Sequence, residues 1–235
     1  AGGEDVLKMK ILALESSALA ASAAILSDGA VTAEVWQRTG LTHSQTLLPM
    51  TQHLLESSGT ELSGIDLFAV AAGPGSYTGL RIGVATVKGL AAALGRPCAG
   101  VSSLEALFYA HPVYPEDAAV ACIMDARAGQ VYAAAFDAHG ARLLPDRALA
   151  LRELLEELEA LGRPLWLTGD GAHLACEALR ERCAVTLAPD AARWQHARGV
   201  ALAAAALPRE AYVTASALRP EYLRLSQAER ERLAR

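Results

Sequence analysis

The sequence has no apolar run long enough to cross a bilayer. Stretches such as ALAAAALP fall far short of the roughly 20 residues a spanning helix needs. It also lacks the basic start, apolar stretch and small-residue cleavage site of a secretory signal. Cysteine is scarce: Cys98, Cys122, Cys176 and Cys183 form no CxxC pair, and the spacing of Cys176 and Cys183 matches no common zinc site. Small, buried, reduced thiols in a cytoplasmic protein are the expectation, rather than a disulfide framework. An excess of positive charge is missing too. With 21 Lys and Arg against 26 Asp and Glu, the net charge is -5, so the chain as a whole repels a phosphate backbone. The C-terminal RPEYLRLSQAERERLAR departs from this, with five arginines against three glutamates. It reads as a solvated helix face, or more sharply as a local contact to nucleic acid or an acidic partner.

What is present is ample core material, 52% hydrophobic over 235 residues, enough for one large domain or two small ones. Met9 reads as a native start, with residues 1–8 as an extension. MKILALESS predicts a strand ending on Glu15, followed by strands in ALAASAAILSDG and AVTAEVWQRT. THSQTLLPMTQHLLESSG predicts a helix with Leu47, Leu48, Leu54 and Leu55 on one face, stopped by Gly59. IDLFAVAAG, without alternation, predicts a strand buried on both faces. A helix to Leu94, a strand in PCAGVSS and a helix in SLEALFYAH, N-capped by Ser102 or Ser103, complete the first half.

The second half repeats the plan. AVACIMDA is a strand ending on Asp125, followed by strands in GQVYAAAFDAHG and ARLLPDRALAL. The helix LRELLEELEALG, the strand RPLWLTGDG and a helix, strand and helix follow. Each half reads β-β-β-α-β-α-β-α, and Glu15 and Asp125 stand 110 residues apart. This is a duplication at domain scale. It predicts an α/β protein of two domains, 9–110 and 111–235, each a mixed five-stranded sheet flanked by helices, with the last helix able to pack back on the first domain.

Two facing domains of this kind are the plan of the actin-like superfamily, related to the RNase H fold. In that plan the acids ending the first strands face a cleft, and glycine turns approach a nucleotide. A closer resemblance is carried by ILALESS, HSQTLLPM, AAGPGSYTGLRIGVATVKGLA, GVSSLEAL, IMDARAGQVYAAAF, TGDG and RPEYLR, in that order. The sequence resembles the TsaB (YeaZ) family over nearly its whole length. GPGSYTGLRIG followed by DARAGQVY is the specific part.

The resemblance implies a non-catalytic activating subunit in making threonylcarbamoyladenosine at position 37 of tRNA. It would pair with the transferase TsaD, be joined by the ATPase TsaE, and form a homodimer in isolation. Contact with tRNA would come indirectly, through the complex, with no membrane involved. It implies no cofactor in the isolated chain, with ATP or ADP only within the complex. Two other classes stay open: an actin-like ATPase or phosphotransferase, and a metallopeptidase-like hydrolase related to glycoproteases.

The candidate residues divide accordingly. TsaD-like chains carry two histidines four apart on a helix; here His43 is followed by Leu47, so His43 reads as a hydrogen-bonding residue rather than a metal ligand. Glu15 stands where the family more usually has Asp. With Asp125, Arg127, Gly169 and Gly171 it forms a candidate cleft-facing, nucleotide-facing set; a polar turn is the plainer reading of Glu15 and of Asp125-Ala126-Arg127. Ser76 is no nucleophile elbow, since GPGSYTG is not G-x-S-x-G; a helix-capping hydroxyl explains it. The spacing of Gly73, Gly75, Gly79 and Gly83 matches neither a Rossmann loop nor a P-loop, and Pro74 removes an amide. Glycine inside a helix costs about 1 kcal/mol against Ala, so Gly79, Gly83 and Gly89 suggest close helix approach. The expected partner interface is Tyr77, Thr78, Gly79, Leu80, Gly83, Thr86, Val87 and Leu90, with packing inside the domain as the alternative. On the interface reading, Gly83→Leu abolishes pairing and leaves the monomer folded.

Overall fold

The computed structural model describes residues 9–111 and 113–224. The expected extension 1–8, and the C-terminal arginines beyond Arg224, lie outside the described residues. Three strands open the chain: β1 (Lys10–Glu15), β2 (Ala21–Ser27) and β3 (Ala30–Gln37). Then come α1 (His43–Ser58), β4 (Leu67–Gly73), α2 (Tyr77–Leu94), β5 (Cys98–Ser102) and α3 (Ser103–Tyr109). The second half follows with β6 (Ala119–Asp125), β7 (Gln130–Phe136), β8 (Arg142–Ala150) and α4 (Leu151–Ala160). It ends with β9 (Leu165–Thr168), α5 (Ala172–Leu179), β10 (Val185–Leu187) and α6 (Ala197–Ala206).

The two sheets are ordered β3-β2-β1-β4-β5 and β8-β7-β6-β9-β10, the same path twice. In each, the first three strands meander antiparallel and the last two run parallel to the first. The unalternating pattern of β4 has a direct cause: Phe68 and Val70 enter one core while Leu67, Ala69 and Ala71 enter another on the opposite face. Pro145 is tolerated because β8 is an edge strand. Helix starts follow capping chemistry. Ser76 Oγ accepts from Gly79 N at 3.3 Å, and Ser102 Oγ accepts from Leu104 N and Glu105 N at 3.2 Å.

The halves exchange helices. α3, from the first half, lays Leu104, Leu107 and Phe108 on Val120, Cys122 and Phe136 of the second sheet. α6, from the second half, lays Val200, Ala201 and Ala204 on Ile11, Ala13 and Ala69 of the first. The chain then stays with the first sheet. Val213 bridges Cys98, Leu218 enters the first core, and Glu221 N donates to Ala72 O at 2.7 Å. This strap forms no helix from 219 to 224, the described start of the segment expected as a helical face. Its last described residue, Arg224, donates to Ala126 O at 2.6 Å in the other half. Cys98, Cys122 and Cys176 are buried thiols, Cys183 is partly exposed, and none forms a disulfide. Among the described residues, no helix is long and apolar enough to cross a membrane.

Candidate functional site

The ends of β1 and β6 meet the β4–α2 and β9–α5 junctions around a cavity of about 380 Å³ between the two sheets. Its walls include Ser17, Gly75, Tyr77, Asp125, Arg127 and Asp170.

On the first side the chain after β1 is pulled down onto α2. Ser16 Oγ donates to Gly79 O at 2.9 Å, and Ser76 N donates to Ser17 O at 2.7 Å. A Cβ on Gly75 would lie 2.4 Å from Ser17 O; one on Gly79, 2.1 Å from Ser16 O; one on Gly83, 2.4 Å from Ser16 Oγ and 3.1 Å from Val70 Cγ2. These three glycines therefore make room for the Ser16-Ser17 turn of the same half of the chain. That corrects the helix-approach reading for Gly79 and Gly83. Leu80 and Val87, also expected at an interface, are fully buried in the domain. Of the expected interface set, Tyr77, Thr78, Thr86 and Leu90 keep some exposure. Gly89 has open space where a Cβ would be.

His43, at the start of α1, holds the same turn: its Nε2–H donates to Ala18 O at 2.7 Å. Leu47, one helical turn on, lies in the core. Among the described residues, no group of three or more His, Cys, Asp or Glu is placed to hold a metal ion.

The turn closes over Glu15, which has no exposed surface. One carboxyl oxygen accepts from Ser17 N at 2.5 Å; the other has no hydrogen-bond partner among the described residues. Burial, opposed by the Ser17 bonds and reinforced by the charge of Asp170, pushes its pKa up to about 7. Asp125 is exposed, and its Oδ1 accepts from Arg127 N at 2.7 Å. Asp and Arg do not pair through side chains here; the bond is to the Arg127 backbone, at φ +67°. Gly169 and Gly171 serve their own half: a Cβ on Gly169 would lie 2.0 Å from Ile123 O, and on Gly171 2.8 Å from Asp125 N.

Asp170, between these glycines, was not singled out by the sequence. Burial and the nearby Asp125 charge raise its pKa, and Gln195 Nε2 donates to its Oδ1 at 2.8 Å. Its signal was available, as the acid inside TGDG facing the strand that ends on Asp125. The sequence also did not show the joint it leads to. Beyond Gln195, Glu34 of β3 accepts from Arg198 Nη1 at 2.9 Å and Arg198 N at 3.1 Å, and pairs with His196 Nδ1 at 3.2 Å. Burial alone would raise the Glu34 pKa; the His196 bond and the Arg198 charge together hold it below the usual range.

Residues 35–231 match the family model described as TsaD, tRNA N6-adenosine threonylcarbamoyltransferase. The chain is similar to the tRNA threonylcarbamoyladenosine biosynthesis protein TsaB of Bacillus subtilis (strain 168), 33% identical over 224 residues, covering 94% of this chain and 96% of the relative. The TsaB protein of Escherichia coli (strain K12) is 40% identical over 126 residues, 53% of each chain. Among solved structures, YeaZ from Pseudomonas aeruginosa superposes with a TM-score of 0.72 at 29% identity, over 92% of this chain and 100% of that one. The activator of the 2-hydroxyisocaproyl-CoA dehydratase from Clostridium difficile, with bound ADPNP, reaches a TM-score of 0.52 at 13% identity and shares the fold alone. The two mixed sheets make this an actin-like fold.

Proposed function

The chain belongs to the TsaB (YeaZ) family of tRNA threonylcarbamoyladenosine biosynthesis proteins, and we propose that it acts there as a non-catalytic activating subunit. In this reading it pairs with TsaD and is joined by TsaE for threonylcarbamoyl transfer to adenosine 37 of tRNA, in the cytoplasm. In isolation it pairs with a second copy of itself.

The observation that carries the non-catalytic part is the sealed end of β1. A transferase or hydrolase working from this strand end needs its reactive group open to the cleft. Here Glu15 is covered by the Ser16-Ser17 turn, and His43 Nε2 is committed to the Ala18 carbonyl. The glycine junction is also occupied: the Ser76 amide donates to Ser17 O and the Gly79 amide to Ser76 Oγ, so neither is available to a phosphate.

Pairing is supported by the side of α2 that faces α1. Leu90 lines a groove of about 470 Å³ with Leu48, Thr51, Leu55 and Leu62. Leu48 was expected on the buried face of α1 but is 53% exposed at this groove. An apolar groove flanked by an exposed leucine suits a partner of the same fold, which a TsaD subunit would be.

Reconstituted tRNA threonylcarbamoylation by TsaC, TsaD and TsaE, with and without this chain, tests the reading. Stimulation by the chain is expected; none would remove it. Calorimetry with ATP and Mg²⁺ on the isolated chain separates it from the ATPase reading, for which tight binding is required.

A further inference from the structure

We infer that the groove between α2 and the C-terminal strap binds the phosphate backbone of RNA. This rests on the reading that the chain works within a tRNA-modifying complex.

The groove is a shallow, open one of about 760 Å³, lined by Arg81, Val84, Ala85, Lys88, Arg219, Pro220 and Tyr222. Three of these side chains are cations, in a chain whose net charge is -5. At physiological ionic strength charges are screened over about 8 Å. Local charge therefore decides what the groove attracts, and the acidic remainder of the molecule counts for little there. Glu221, the acid of the neighbouring strap, is not among the lining residues.

The cations are gathered and held in place. Lys88 Nζ donates to Leu218 O at 3.2 Å, and Arg219 Nη1 donates to the same oxygen at 2.8 Å. Two positive groups on one carbonyl stand within about 6 Å of each other and repel. Neither Lys88 nor Arg219 forms an ion pair among the described residues. An anion lying between them would remove that repulsion.

Arg81, about 10 Å further along the helix from Lys88, is oriented by aromatic groups. Its guanidinium carbon lies 4.4 Å from the Tyr77 ring centroid, and its Nε donates to Tyr222 Oη at 3.2 Å. Tyr222 in turn stacks on Tyr77 at 4.7 Å. A line of cations spread over two helical turns, with an aromatic ring among them, fits successive backbone phosphates better than a single small anion. An acidic protein face is less well matched, because its carboxylates would have to supply the same linear spacing from separate side chains.

The test is the salt dependence of tRNA binding by the chain assembled with TsaD, read by fluorescence anisotropy of labelled unmodified tRNA. Lys88→Gln with Arg219→Gln keeps the side-chain stems and a donor while removing two charges. The expected result is about tenfold weaker binding near 0.1 M salt, with the slope of log affinity against log salt shallower by about two. Arg152→Gln, exposed on α4, is the charge-matched control and should change neither. An unchanged slope in the double variant, or an equal effect in the control, overturns the inference. Displacement of wild-type tRNA by millimolar ATP down to the double variant's level would reassign the groove to free nucleotide and also overturn it. Size-exclusion pairing with TsaD and stimulation of transfer are measured on the same samples. A wild-type chain that fails those two has failed as an activating subunit. A chain that passes them, with tRNA binding indifferent to the double variant, fails this inference alone.

Discussion

At the end of β1 the chain turns down onto α2 and buries Glu15 completely. At the equivalent end of β6, Asp125 is exposed and the next residues turn beside the cavity, Arg127 and Ala128 at φ +67° and +54°. The adjoining helices differ in step. α2 runs 18 residues, is capped by Ser76, and carries Gly79 and Gly83 inside it to receive the turn. α5 runs eight residues, has no side-chain cap, and its glycines stop at Gly171, before the helix begins. Duplicated topology thus holds two different junctions. One is closed around a carboxyl group; the other opens a carboxylate and an arginine to the cleft. The closed side uses the very groups an actin-like fold would offer to a phosphate. Under the proposed pairing role, closing that side costs no function.

The sharpest way to break this comparison is to force the closed junction open. Gly83→Leu places a side chain where Ser16 Oγ and Val70 already sit and should cost more than about 4 kcal/mol in urea unfolding. A folded, stable variant would show that the turn is not held as described. This reverses the expectation that Gly83→Leu spares the monomer.

Glu15 comes next. Its folded pKa of about 7 lies above the unfolded value of 4.5, so the protonated form is favoured by folding. That contribution is fully present below pH 4.5 and is lost as pH rises through about 7. The loss amounts to about 3 kcal/mol. Glu15→Gln, which keeps an acceptor for Ser17 N, should flatten the pH dependence of unfolding between pH 5 and 8 and be the more stable chain at pH 8. A wild-type profile that is already flat there would sink the assignment.

Gly89→Ala, with nothing within 4 Å of the new methyl group, should raise stability by about 0.5–1 kcal/mol. It separates a helix glycine that receives nothing from Gly79 and Gly83, which receive the turn. The smallest effect belongs to the open side. Asp125→Asn preserves an acceptor for the Arg127 amide at an exposed site and should change the unfolding free energy by no more than about 0.5 kcal/mol. A larger loss would mean that the two strand ends are less different than they look.

Much of the molecule was legible in the residues. Strand and helix order follows from apolar runs, glycine stops and serine caps. The equivalence of Glu15 and Asp125 follows from counting. The destination of the glycines was not legible. A glycine in a helix announces only that something comes close; whether that is a partner or the chain's own turn depends on contacts 63 residues apart, such as Ser16 to Gly79. Asp170 escaped notice because one acid in a short turn has no periodic pattern. The Glu34–Arg198 joint escaped because its members are 164 residues apart.

The sequence by itself determined the duplicated α/β plan and the family, because these are carried by local pattern and residue type. Only the tertiary structure decided which way each junction faces. It alone showed that Glu15 is sealed while Asp125 is open, that α3 crosses to the second sheet, and that Lys88 and Arg219 meet at one carbonyl of the strap. The physical reason is that burial, close approach and the sum of nearby charges depend on distance in space, and chain order sets those distances only after the two halves have packed together.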